Sequence, residues 1–162
     1  MDTTLTLPLV QQLADALTAR AWRMGTAESC TGGLIAAACT ELAGSSVWFE
    51  RGFVTYSNEA KVELLGVDAA LIAAHGAVSE QVARAMAEGA LMRTGVDVAV
   101  AVTGIAGPSG GSADKPVGTV WLAWAQRNGP TRAECQLFDG DRARVRELTC
   151  LSALKGLLDL GA

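Results

Sequence analysis

Asp97-Val98-Ala99-Val100-Ala101-Val102-Thr103 is an almost unbroken run of β-branched and small apolar residues. A strand of this kind has no polar face to turn to water, so other layers must cover both of its faces. The run predicts the middle of a sheet with helices on either side, and the flanking sequence supplies them. Upstream, Leu9, Leu13, Ala16 and Leu17 recur at helical spacing within residues 5–21, and a short strand is expected over 23–28. A second helix of small residues opens at Thr31-Gly32-Gly33 and runs to residue 42. Residues 48–56 are β-rich, Asn58-Glu59-Ala60-Lys61 reads as an N-cap with a first turn, and 79–93 reads as a helix capped by Ser79. Downstream, 104–116 is a long loop. Two strands over 117–125 and 132–138 form a hairpin around Asn128-Gly129, and 142–160 is the closing helix. Strands alternating with helices, followed by a strand pair, give the expected class: α/β, a three-layer α/β/α sandwich with a mixed, mostly parallel sheet.

A chain of 162 residues suits one domain over 1–162 and buries a core without staples. Half of it is apolar but only 5% is aromatic, so the interior must be built from Ala, Val, Leu and Ile at close approach. A net charge of −4 and a pI near 5.0 leave no basic field to hold nucleic acid, although a few donors can hold a small anion locally. The N-terminus lacks a basic leader and no apolar stretch reaches the ~18 residues of a membrane span, so a cytoplasmic protein without a membrane partner is expected. Cys30, Cys39, Cys135 and Cys150 show no paired short spacing. At least three of them are expected to be small buried groups, and neither a metal nor a cofactor is called for. The expected assembly is a homo-oligomer, in the first instance a dimer.

What is scarce restricts the chemistry. The chain holds one histidine, His75, and one tyrosine, Tyr56, with lysines only at 61, 115 and 155. A Ser-His-Asp triad would have to use His75, which falls in an expected exposed turn. Ser29 sits where a strand turns into a helix, beside backbone N–H groups at the positive end of a helix dipole, where an oxyanion is stabilised. The plainer reading is that Ser29 or Thr31 only caps that helix. Lys61 lies in the first turn of the helix opened by Asn58, where the dipole disfavours a cation and should depress its pKa toward that of a usable base. Tyr56 is close enough in sequence to relay a proton to the same pocket. Adjacent residues at such a turn point in different directions, so one of Ser29 and Cys30 should face the pocket. The loop from Thr103 and Gly104 through Gly107 to Gly111 follows the buried strand, at the sheet end where α/β folds bind ligands, and it also reads as a purely structural turn. Arg142, Arg144 and Arg146 either hold a phosphate or form a solvated face.

Taken together these motifs are recognisable. Thr26-Ala27-Glu28-Ser29-Cys30-Thr31-Gly32-Gly33, Gly44-Ser45-Ser46 and Gly52-Phe53-Val54-Thr55-Tyr56-Ser57-Asn58-Glu59-Ala60-Lys61 come first. His75-Gly76-Ala77-Val78-Ser79, Thr103-Gly104-Ile105-Ala106-Gly107-Pro108, Lys115-Pro116-Val117-Gly118-Thr119-Val120 and Phe138-Asp139-Gly140-Asp141-Arg142 follow in order. The set resembles the CinA C-terminal domain family of nicotinamide-nucleotide amidases over nearly the whole chain, in its stand-alone form. The resemblance implies hydrolysis of nicotinamide mononucleotide to nicotinic acid mononucleotide and ammonia, with Ser29 as nucleophile, Lys61 as its base and Tyr56 assisting. The expected substrate contacts are Thr31, Gly32, Gly33, Thr103, Gly104, Gly107 and Arg142. The competing readings are a nucleotide-binding or regulatory module without turnover, and a thiol hydrolase using Cys30.

Overall fold

The computed structural model describes residues 3–160. Its elements are α1 (Thr3–Ala19), β1 (Met24–Glu28), α2 (Leu34–Glu41), a 3-10 turn (Ser45–Val47), β2 (Phe49–Val54), α3 (Asn58–Leu65), α4 (Ala69–His75), α5 (Glu80–Thr94), β3 (Val98–Gly104), β4 (Thr119–Gln126), β5 (Arg132–Leu137) and α6 (Arg142–Asp159). One sheet has the order β2-β1-β3-β4-β5, with β3 at its centre as the apolar run requires. β1 pairs parallel with β2 and with β3, whereas β4 pairs antiparallel with β3 and with β5. The sheet is therefore mixed. Parallel ladders make up half of it, and β4 alone runs against the other strands.

The alternation within the strands divides the interior into two unlike halves. Met24, Val98, Val100, Val102, Val120, Leu122 and Trp124 face one way and meet Val10 and Leu13 of α1, Ile35 and Cys39 of α2, and Val145 and Leu154 of α6. Ala27, Ala99, Ala101, Ala123 and Ala125 face the other way, against Val82, Ala83, Met86, Ala87 and Ala90 of α5 and Leu65 and Ile72 of α3 and α4. Alanine on both surfaces brings α5 close to the sheet, which is how a chain with few aromatics fills its interior at native density.

Three local expectations change. The short α4 replaces part of an expected connection; seven residues rich in alanine give little periodic signal, and Asp68 caps them by accepting from the Ala70 N–H at 2.8 Å. α2 begins at Leu34 rather than at Thr31, because Gly32 and Gly33 adopt positive φ and form a turn ahead of it. Ser57, not Asn58, is the N-cap of α3, accepting from the Ala60 N–H at 3.0 Å. Cys30, Cys39 and Cys150 are buried, and Cys135 is exposed on β5. No helix among the described residues is long and apolar enough to cross a membrane.

Candidate active site

Strand register builds the site. Glu28 at the end of β1 lies opposite Val54 of β2 and Val102 of β3, so the residues just beyond, Ser29, Thr55 and Thr103, come together at the carboxyl ends of the parallel strands. Ser29 is tied there by its N–H to the Val102 carbonyl at 3.0 Å. From α3 the Lys61 side chain runs back toward the helix N-terminus, the direction helical side chains take. Its Nζ lies 3.1 Å from Ser29 Oγ and 2.9 Å from the Thr55 carbonyl, with the Tyr56 and Ser57 carbonyls at 3.4 Å. Lys61 is 1% exposed, and among the described residues its hydrogen-bond partners are these four oxygens, none of them a carboxylate. Burial lowers its pKa from the ordinary lysine value, while Cys30 and Glu59 act weakly in the opposite sense. The depression expected from the helix dipole is thus present, but burial causes it. A neutral amine has two N–H groups and one lone pair. With the donors turned to backbone carbonyls, the lone pair is left for the Ser29 hydroxyl.

A cavity of about 220 Å³ opens beside this pair. Tyr56, Asn58, Ala77, Val78, Thr103, Gly104, Ala106 and Arg142 border it with Ser29, Cys30 and Lys61. The Thr103 hydroxyl donates to the Ala77 carbonyl at 2.8 Å and so fixes one wall. Arg142, the first residue of α6, donates to the Tyr56 hydroxyl at 2.9 Å and to the Gly107 carbonyl at 3.0 Å, bridging the mouth. Tyr56 thus gives its carbonyl to Lys61 and its hydroxyl to Arg142. Asn58 did not emerge as a site residue from sequence because it looked like a helix cap. Ser57 is the cap, and Asn58 is among the residues that border the cavity. A larger groove of about 460 Å³ between α3 and α4 is lined by Glu59, Val62 and Glu63, and no nucleophile stands beside a base there. His75 is exposed at the end of α4 and does not border the cavity beside Ser29 and Lys61.

The N–H groups of α2 are already engaged. Glu28, fully buried, accepts from Gly33 N at 3.0 Å, Ile35 N at 3.0 Å and Ala36 N at 2.8 Å, and from the hydroxyls of Thr31 at 2.7 Å and Thr26 at 3.2 Å. The expected oxyanion site at this helix start is therefore occupied by a carboxylate of the chain itself, as the dipole favours. Thr31 and Gly33 serve Glu28 and Gly32 is exposed, and none of the three borders the cavity. The signal for Glu28 was present in the sequence: an acid ends an apolar strand five residues ahead of a helix whose N-cap, Gly33, has no side chain. Cys30 borders the cavity together with Ser29, so the turn does not segregate the two. Burial, with the Glu28 charge in support, pushes the Cys30 thiol up to about 11, so very little thiolate exists near neutrality.

Fold and site together define a class: a three-layer α/β protein that holds a serine hydroxyl against a buried lysine amine, at a cavity beyond the carboxyl ends of parallel strands. The chain belongs to the CinA C-terminal domain family, whose model matches residues 6–160. It is 54% identical over 153 residues to the nicotinamide-nucleotide amidohydrolase PncC of Escherichia coli strain K12, covering 93% of this chain and 92% of that protein. It is 58% identical over 137 residues to a CinA-like protein of Akkermansia muciniphila, covering 85% of this chain but only 33% of that longer protein. Among solved structures, the competence/damage inducible protein CihA from Agrobacterium tumefaciens superposes with a TM-score of 0.95 at 48% identity. That match covers 98% of this chain and 96% of the other.

Proposed function

We propose that this protein hydrolyses the carboxamide of nicotinamide mononucleotide, releasing nicotinic acid mononucleotide and ammonia, with Ser29 as nucleophile and Lys61 as general base. The observation that carries the reading is the 3.1 Å approach of Ser29 Oγ to a buried lysine amine whose pKa burial has lowered. The name of the Escherichia coli relative, which matches over nearly its whole length, supplies the substrate. Neutral Lys61 takes the Ser29 proton as Oγ attacks the carboxamide carbon. The resulting ammonium gives that proton to the departing nitrogen, which leaves as ammonia from the collapsing tetrahedral intermediate. Lys61, neutral again, then takes a proton from water as the water attacks the serine ester. Returning that proton to Ser29 Oγ frees the acid and restores the pair. The pyridine ring enters the cavity, and Arg142 at its mouth meets the phosphate at the start of α6.

The reaction is placed in the cytoplasm, a reading supported by four free cysteines. A homo-dimer remains part of the proposal, since the edges of β2 and β5 offer places for a second copy to pair; sedimentation velocity tests it. The reading as a whole is tested by ammonia release from nicotinamide, its riboside and its mononucleotide. Ser29→Ala, Lys61→Ala and Lys61→Arg should each fall to one common floor, because the pair acts as a unit and a guanidinium with a pKa above ~12 takes no proton. Cys30→Ala should keep most activity. An active Lys61→Arg enzyme, or a folded but dead Cys30→Ala enzyme, would overturn the assignment.

A further inference from the structure

Two charged side chains that the proposed reaction does not use grip the turn carrying Ser29, one through its donors and the other through its carbonyls. Glu28 anchors Thr31, Gly33 and the first turn of α2. Arg146 of α6 donates through Nε to the Cys30 carbonyl at 3.2 Å and through Nη2 to the Thr31 carbonyl at 2.8 Å. These are the two peptide carbonyls directly after the nucleophile. The turn needs such a grip, because the residues that follow, Gly32 and Gly33, have φ of +60° and +102°, a conformation only glycine reaches cheaply, and glycine is the residue with most freedom to lose. Arg146 itself does not border the catalytic cavity. It lines a separate groove of about 380 Å³ with Leu34, Asp141 and Glu147, so anything it does to Ser29 passes through the backbone.

We propose that Arg146 is a positioning residue. Its fork of donors fixes the Cys30 and Thr31 carbonyls and, against the Glu28 anchor, holds the Ser29 hydroxyl within reach of Lys61 Nζ. The inference rests on the reading of Ser29 as nucleophile. A planar guanidinium satisfies two carbonyls at once, whereas an ammonium acts as a point charge and satisfies them less well. Removing buried Glu28 would leave the Gly33 N–H and two N–H groups of α2 without partners and endanger the fold, so half-buried Arg146 is the member to test.

Arg146→Ala is read in two ways: the rate at which a serine-directed fluorophosphonate labels Ser29, followed by mass spectrometry, and kcat and KM for ammonia release from the mononucleotide. Labelling rate and kcat should both fall about ten- to a hundredfold, the scale of a misplacement near 1 Å, with KM unchanged. Guanidinium ion at low, non-denaturing concentration should restore part of both by entering the emptied groove, and sodium at equal ionic strength should not. Arg146→Lys should fall between the two, and Lys155→Ala, on the same helix, should match the wild type. Arg146→Ala that labels and turns over like the wild type overturns the proposal. So does a raised KM at intact kcat, which would make Arg146 a substrate contact, and so does a loss that guanidinium leaves untouched. Wild-type protein that labels at Ser29 yet releases no ammonia overturns the nucleotide reading alone, with the labelling rates still deciding the role of Arg146. Wild-type protein that does neither overturns both.

Discussion

At the scale of single residues, the site turns on placing an amine in an interior without a carboxylate partner. Burial penalises the ammonium form of Lys61, so its pKa lies below the ordinary lysine value. The sign follows directly. Below that pKa Lys61 is protonated and cannot act as base, so kcat/KM should rise with pH along a single limb whose midpoint falls below the ordinary ~10.4 of lysine. The unfolded chain keeps a proton that the folded one sheds, so stability should also increase with pH between the folded Lys61 value and ~10.4. Lys61→Met removes both dependences: it is inactive at every pH, and its stability curve, from denaturant melts across the window, should lack that rise. A limb centred at or above the ordinary lysine value would show that Lys61 is not the base. Ser29 and Lys61 were legible in the sequence because a serine at a strand-to-helix turn and a lysine placed against a helix dipole are local anomalies. Glu28 left a local signal too, an acid ending a strand ahead of a helix without a capping side chain, whereas Arg146 left none, because its contacts are to backbone carbonyls more than a hundred residues along the chain.

At the scale of elements, what matters is which ends converge. The run 97–103 gave the central strand almost residue for residue, and Ser79 and Asn128-Gly129 fixed a helix start and a hairpin, since each is a short-range signal. Strand order was not written locally. It follows from which faces the helices cover, and with it comes the meeting of Ser29, Thr55 and Thr103. The same convergence brings the first turn of α6 to the loop after β3, where Arg142 spans Tyr56 and Gly107. On the proposed reading, Arg142 exchanges its bonds to two neutral acceptors, the Tyr56 hydroxyl and the Gly107 carbonyl, for bonds to the charged oxygens of the phosphate. Such a contact commonly contributes about 1.5–3 kcal/mol, roughly ten- to a hundredfold in affinity. Arg142→Ala should accordingly raise KM for the mononucleotide by that factor and leave the weaker turnover of the riboside nearly unchanged. Equal losses on both substrates would assign Arg142 to holding the cavity wall through Tyr56 and Gly107, and not to the phosphate.

For the molecule as a whole, the sheet separates two cores that differ in kind, and the site draws on both. Lys61 comes from α3, whose Leu65 belongs to the alanine-lined half, whereas Arg142 comes from α6, whose Leu154 belongs to the half filled by Val, Leu and Trp. Met86 on α5 and Leu154 on α6 are both fully buried and lie in different clusters. Replacing either with Ala should cost about 2–5 kcal/mol, with Met86→Ala toward the upper part because the small, closely packed residues around it have little side chain with which to fill the void. Residues with no shared partners add within about 0.3–0.5 kcal/mol, so the double variant should lose the sum if the sheet is a rigid partition. Urea unfolding of the four proteins of the cycle, followed by tryptophan fluorescence and by far-ultraviolet circular dichroism, measures this. Additive losses with coincident transitions describe two cores joined into one cooperative unit. A coupling well above 0.5 kcal/mol would mean instead that strain passes through the sheet. In that case the distance between Ser29 and Lys61 would depend on packing in the half of the molecule that does not carry the lysine.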